Sequence, residues 1–219
     1  TFPESTPGRF AVQDENALIE RISGRLLREP QPFDAGAGML PDWVPEVPHN
    51  RPPVHAAVLI ALVRRADGLS ILYTERSPEL RSHSGQIAFP GGKVDPTDID
   101  AADAALREAW EEVRLDRSSA RVLGYLPLYY TGTNYLITPV VAVVEPRAPF
   151  VPNPSEVRSV FEVPLSYLMA PGGFTTFRIQ RNGREHSTWQ IEHSGLVIWG
   201  ITANLTRRFH DLALAPEGG

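Results

Sequence analysis

Apolar positions switch between helical and extended spacing along the chain, and each change of period marks an element. From Asp14 to Leu27, the residues Leu18, Ile19, Ile22 and Leu26 fall on one stripe. This predicts an amphipathic helix capped at Asp14 and lying on the core. Glu29 to Pro53 then carries Pro30, Pro32, Pro41, Pro45, Pro48, Pro52 and Pro53, a density that opposes helix. His55 to Arg64 and Ser70 to Thr74 are apolar runs of strand length, and Asp67-Gly68 between them is a hairpin signal. Helical spacing returns with Ala102, Leu106, Ala109, Trp110 and Val113, which form one apolar face.

Beyond that helix, Arg121 to Tyr130 and Leu136 to Val144 read as strands around a loop, 131–135, that holds Gly132 and Asn134. A Pro-rich loop, 145–155, follows. Glu156 to Phe161 and Phe174 to Gln180 are extended, and Asn182-Gly183 turns into Ser187 to Glu192. Leu196 to Leu212 predicts a closing helix. Strands mixed with a few helices predict an α/β (α+β) sandwich around a sheet. At 219 residues the chain is expected to form a single domain over 1–219. Its N-terminal helix and Pro-rich crossing, about 1–53, are expected to pack on that domain.

Composition narrows the function classes. Hydrophobic residues make up 42% and charged residues 21%, the proportions of an ordinary globular protein. The net charge of −5, with no basic stripe, argues against nucleic-acid binding. The absence of Cys excludes disulfides, a thiolate nucleophile and Cys-ligated zinc. No apolar run reaches the roughly 20 residues of a membrane span. No leader pattern stands at the N-terminus, so a cytoplasmic location is expected.

The helix at Arg107-Glu108-Ala109-Trp110-Glu111-Glu112 changes the picture most. Glu108, Glu111 and Glu112 stand at i, i+3 and i+4, so the three carboxylates share a face and repel one another. A hard divalent cation removes that repulsion, and Mg²⁺ or Mn²⁺ would also hold phosphate oxygens. Asp95, Asp98, Asp100 and Asp103 crowd the helix start, where acids cap free N–H groups. Gly91-Gly92 just before them permits close approach of the backbone.

The stretch from Gly92 to Leu115 resembles the Nudix box, G-x5-E-x7-R-E-U-x-E-E-x-G-U with U aliphatic. Three positions depart: Asp98 stands for the first Glu, Arg107 lies one residue further on, and Arg114 replaces the late Gly. Upstream, Leu72-Tyr73-Thr74-Glu75-Arg76-Ser77 leads through Arg81 and Gly85 to Phe89-Pro90-Gly91-Gly92. It is similar to the signature LLTxRSx3Rx3Gx3FPGG of the coenzyme A pyrophosphatase branch of that family, with Tyr73 in a Leu position. That branch carries an extra residue in the box, in agreement with the displaced Arg107. The two signatures cover about a fifth of the chain. Asn153-Pro154-Ser155-Glu156-Val157 and Ile198 to Ala203 also resemble segments of the branch.

The resemblance implies a Nudix α/β/α sandwich with a mixed sheet. It implies hydrolysis of the pyrophosphate bond of coenzyme A or an acyl-coenzyme A, with no nucleic-acid or membrane partner. Glu108 and Glu112 are the implied ligands of Mg²⁺ or Mn²⁺, joined by the carbonyl of Gly91. Glu111 would hold a second ion or orient the water, Arg107 would brace the carboxylates or the loop, and Glu156 is the candidate base on a distant loop. Asp98–Arg107 is a candidate pair. Arg76 and Arg81 are spaced to reach phosphates, for which guanidinium forks are suited. His83 reads as an incidental hydrogen-bonder. Tyr129, Tyr130, Tyr135 and Phe150 read first as core and second as walls for adenine or pantetheine. The loops 131–135 and 145–155 and the second hairpin are candidate lids. ADP-ribose, a dinucleoside polyphosphate and an oxidised nucleotide are the alternative substrates. A non-catalytic ligand sensor is the alternative class, against which the three retained acids argue.

Overall fold

A computed structural model of the chain describes residues 7–45, 47–78, 85–181 and 183–215. Arg81, His83 and Asn182 therefore lie outside the described residues.

The centre is a mixed sheet. Strand β1 (Val54–Arg65) turns at Gly68, φ +115°, into β2 (Gly68–Arg76), its antiparallel neighbour. Two short strands follow, β3 (Ile87–Ala88) against β2 and β4 (Gly91–Lys93) against β1. Helix α1 (Pro7–Arg25) precedes the sheet and α2 (Ala101–Val113) follows β4. The sheet is completed by β5 (Ala120–Tyr125), β6 (Tyr129–Tyr130), β7 (Tyr135–Val144) and β8 (Val157–Pro164). The long pairing of β1 with β7 is parallel, whereas β2–β8 and β5–β7 are antiparallel.

β1 and β7 are buried on both faces because helices cover each side. Ala57, Leu59, Ala61 and Val63 point to α2, together with Val140, Ala142 and Val144. Ile60 and Leu62 point the other way, with Ile71, Tyr73, Val141 and Val143. There they meet Ile19, Ile22 and Leu26 from the N-terminal segment, and Leu205 and Phe209 of α4 (Gly200–Phe209). The period-2 alternation of one strand thus feeds two cores. A short helix, α3 (Leu165–Met169), leads to a second antiparallel sheet, β9 (Thr175–Arg181), β10 (Arg184–His193) and β11 (Leu196–Trp199). Asn204 of α4 caps the free edge of β10, accepting from Thr188 Oγ1 at 2.9 Å and Trp189 N at 3.1 Å.

Four sequence expectations need correction. α1 begins before Asp14, so that residue lies within the helix and does not cap it. Arg121 to Tyr130 is two strands, β5 and β6, with Pro127 between them where no ladder N–H is available. Leu196 to Leu212 is not one helix. Ser194 and Gly195, at φ 49° and 78°, fold β11 back on β10, and Gly200 at φ 66° ends the strand as the first residue of α4. Trp110 is exposed, because its ring stacks under the Arg114 guanidinium, 5.3 Å away, instead of entering the core. Tyr73, the odd residue of the upstream signature, is fully buried between Phe89 and Phe161. Its hydroxyl lies 2.9 Å from Thr206 Oγ1 of α4, so it joins the sheet to that helix.

Candidate active site

α2 starts on a reciprocal cap. Asp100 accepts from Asp103 N at 2.8 Å, and Asp103 accepts from Ile99 N at 2.9 Å. It ends with Arg114 in the left-handed conformation, φ 58°, so the position where the box has Gly keeps the glycine-like backbone. Between these caps the helix lies against β4. A Cβ at either glycine would crowd a neighbour, backbone at Gly91 and a flexible side-chain end at Gly92. A Cβ on Gly91 would meet the carbonyl of Ala57 and come within 2.7 Å of Val58 Cα. A Cβ on Gly92 would lie 2.5 Å from the carboxyl carbon of Glu108. β4 is therefore the floor on which the acids of α2 rest.

Arg107 braces the loop. Its Nε and Nη2 donate to the two oxygens of Asp98 at 2.9 and 3.0 Å, so the candidate pair forms as a bidentate fork. Nη2 also reaches the carbonyl of Lys93 at 3.1 Å, and Nη1 donates to Glu108 Oε1 at 3.0 Å. The Arg107 fork holds the Asp98 carboxyl below the usual carboxylate range.

The acids divide. Oxygens of Glu108, Glu112 and Glu156 lie within 4.8 Å of one another. Glu111 stands outside that group, its side chain 46% exposed and paired with Arg107 at 3.4 Å. Glu112 is only 4% exposed and accepts from Gly91 N at 3.2 Å. Gly91 thus meets Glu112 through its amide. Burial pushes the Glu112 carboxyl up to about 8 and also raises that of Glu108, with the neighbouring acids adding to both. Arg76 Nη1 lies 3.9 Å from Glu112, and its buried Nε has no hydrogen-bond partner among the described residues.

Glu156 reaches the cluster from far along the chain. The loop before β8 is pinned to the end of α2 by Val151 N to Val113 O, 2.9 Å, and Asn153 N to Glu112 O, 2.8 Å. Ser77 N donates to Glu156 O at 2.9 Å, which joins the loop to the end of β2. Asn153 had no role assigned from sequence; the turn-forming Asn-Pro-Ser run was the available signal.

The aromatic candidates stand elsewhere. The Tyr129 hydroxyl donates to Asp42 and that of Tyr130 to Asn134, while Tyr135 and Phe150 pack on the two cores. The 131–135 loop is held by the Pro-rich crossing: Gly132 N donates to Asp42 at 2.7 Å, and His49 Nε2 donates to Gly132 O at 2.8 Å.

Three crowded carboxylates, one of them buried, form a hard-oxygen donor set suited to a divalent cation. Without one they repel in a poorly solvated site. The residues present fit such an ion.

The family profile and the sequence relatives agree on one family. The NUDIX domain family profile matches residues 53–180. The chain is 43% identical over 161 residues to the uncharacterized Nudix hydrolase NudL of Shigella flexneri serotype 5b, covering 72% of this chain and 83% of that one. It is 44% identical over 152 residues to NudL of Escherichia coli K12, covering 69% and 79%. Similar solved structures include a Nudix hydrolase from M. smegmatis, at 21% identity and TM-score 0.45, covering 56% of this chain and 80% of that one. A C. elegans Ap4A hydrolase complex has 20% identity and TM-score 0.43, covering 52% and 81%.

Proposed function

Since the chain belongs to the Nudix family and is a hydrolase of a pyrophosphate-containing substrate, we propose that the substrate is coenzyme A or an acyl-coenzyme A. The products are 4′-phosphopantetheine, acylated where the substrate was, and adenosine 3′,5′-bisphosphate. The observation that carries the hydrolytic site is the cluster of Glu108, Glu112 and Glu156 beside Arg76. The upstream signature from Leu72 to Gly92 supports the choice of coenzyme A.

Glu108, Glu112 and Glu156 would hold Mg²⁺ or Mn²⁺, with the carbonyl of Gly91 as a further donor. The ion, when bound, neutralises charge on the pyrophosphate oxygens and acidifies the attacking water. Arg107 keeps Glu108 and the β4 loop in register through its fork on Asp98. Arg76, with a donor left over, binds a phosphate of the substrate, and Arg81 of the same signature serves the ribose phosphate. Glu111, solvent-facing beside Arg107, is the acid of the box left to orient or deprotonate the water. The water oxygen bonds to one phosphorus in line as the bridging P–O bond breaks.

The test is incubation with coenzyme A and Mg²⁺ in ¹⁸O water, with products identified by mass. Adenosine 3′,5′-bisphosphate and phosphopantetheine are expected, with ¹⁸O on one of them. No turnover of coenzyme A, with turnover of ADP-ribose or a dinucleoside polyphosphate, would overturn the substrate assignment. Saturable binding without products would favour a sensor.

A further inference from the structure

Among the described residues, the side chain of Asn153 holds the carboxylate of Glu156: Nδ2 donates to Oε1 at 3.3 Å. The orientation of the carboxamide is fixed by its other end. Asn153 Oδ1 accepts from Ser155 Oγ at 2.8 Å and from Ser155 N at 3.3 Å. The backbone N–H of Ser155 can only donate and the carboxylate of Glu156 can only accept, so the oxygen faces Ser155 and the NH₂ faces Glu156. The backbone of the same residue makes three further hydrogen bonds. Its N–H donates to Glu112 O at 2.8 Å, and its carbonyl accepts from Glu156 N at 3.0 Å and Val157 N at 2.8 Å. One residue thus touches the backbone that carries Glu112 and the carboxylate of Glu156.

We propose that Asn153 is the positioning residue that delivers Glu156 to the cation site. The inference rests on the reading of Glu108, Glu112 and Glu156 as ligands. Three clustered carboxylates repel, and Glu156 stands on a loop that would otherwise let its side chain swing to water. A donor fixed by the Ser155 turn holds one carboxylate oxygen and leaves the other for the ion. Hydrogen-bond partners behind metal ligands typically contribute about 10–100-fold to affinity or activity. The backbone links do not depend on the carboxamide, so the loop remains pinned to α2 when the side chain is shortened.

A double-mutant cycle on the full chain tests this, with Mn²⁺ binding measured by calorimetry in the absence of substrate. Asn153→Ala and Glu156→Gln are each expected to weaken Mn²⁺ binding about tenfold or more. The double variant is expected to bind no worse than Glu156→Gln alone, because the carboxamide acts only through that carboxylate. Asn153→Ser keeps an acceptor for the Ser155 amide but cannot reach Glu156, and should match Asn153→Ala. It also provides a folded variant if Asn153→Ala does not fold. Additive losses, or wild-type affinity in both Asn153 variants, would overturn the inference while leaving the ligand set intact. Wild-type affinity in Glu156→Gln would remove the ligand reading itself, and this inference with it.

Discussion

Glu112 concentrates the physics of the site in one side chain. It is buried, it accepts one backbone N–H, and it sits beside two other acids. Its folded-state carboxyl, pushed up to about 8, lies above the unfolded value near 4.5. The folded chain therefore holds a proton that the unfolded chain releases. Stability is greatest below about pH 4.5 from this group and is lost as pH rises through about 8. In EDTA, the thermal midpoint should fall between pH 5 and 9, and Glu112→Gln should flatten the fall. Added Mn²⁺ should restore the wild type at the alkaline end and leave the variant unmoved. A wild-type midpoint independent of pH in EDTA would contradict this account. Spacing alone placed Glu108, Glu111 and Glu112 on one face. It could not tell that Glu112 is buried while Glu111 is at the surface, because burial depends on how β4 and Arg76 approach the helix.

At the scale of elements, β4 and α2 work as a pair. The two glycines of β4 are needed for different reasons, and this separates stability from chemistry. Gly91→Ala forces a Cβ into the backbone of β1 at φ +156°, so it should destabilise the fold by several kcal/mol. Gly92→Ala pushes instead on the flexible end of Glu108. It should leave the denaturation midpoint nearly unchanged and cut Mn²⁺ affinity and turnover at least tenfold. Urea melts and Mn²⁺ titrations of both variants check the split; equal effects on both measurements would refute it. The sequence located α2 and its capping acids correctly, since those signals are local. It misjudged Leu196 to Leu212, whose apolar residues suit either period; the left-handed glycines Gly195 and Gly200 decide between them.

At the scale of the whole molecule, the mixed sheet lies between α2 on one face and α1 with α4 on the other. Arg64 at the end of β1 fastens α1, pairing with Glu15 and donating to Asn16 Oδ1 at 2.6 Å. It also pairs with Glu145 at the end of β7, 3.1 Å away. Arg25 at the end of α1 donates to Ala215 O at 2.6 Å, tying the N-terminal helix to the last described turn. Arg64→Ala should cost about 1–2 kcal/mol and speed proteolysis within α1, with Mn²⁺ affinity unchanged. Cleavage at wild-type rate would show that apolar packing by Ile19 and Ile22 holds the helix alone. By itself the sequence determined the elements with strong periods, the acidic helix, the glycine loop and the family, because each is written in neighbours a few residues apart. It also brought Asp98 and Arg107 near enough to be named as a pair. Only the tertiary structure decided which acids meet. Glu156 joins Glu108 and Glu112 because parallel pairing of β1 with β7 and the pinned loop after β7 carry it across the sheet. Such a meeting depends on long-range register and packing, which no local pattern encodes.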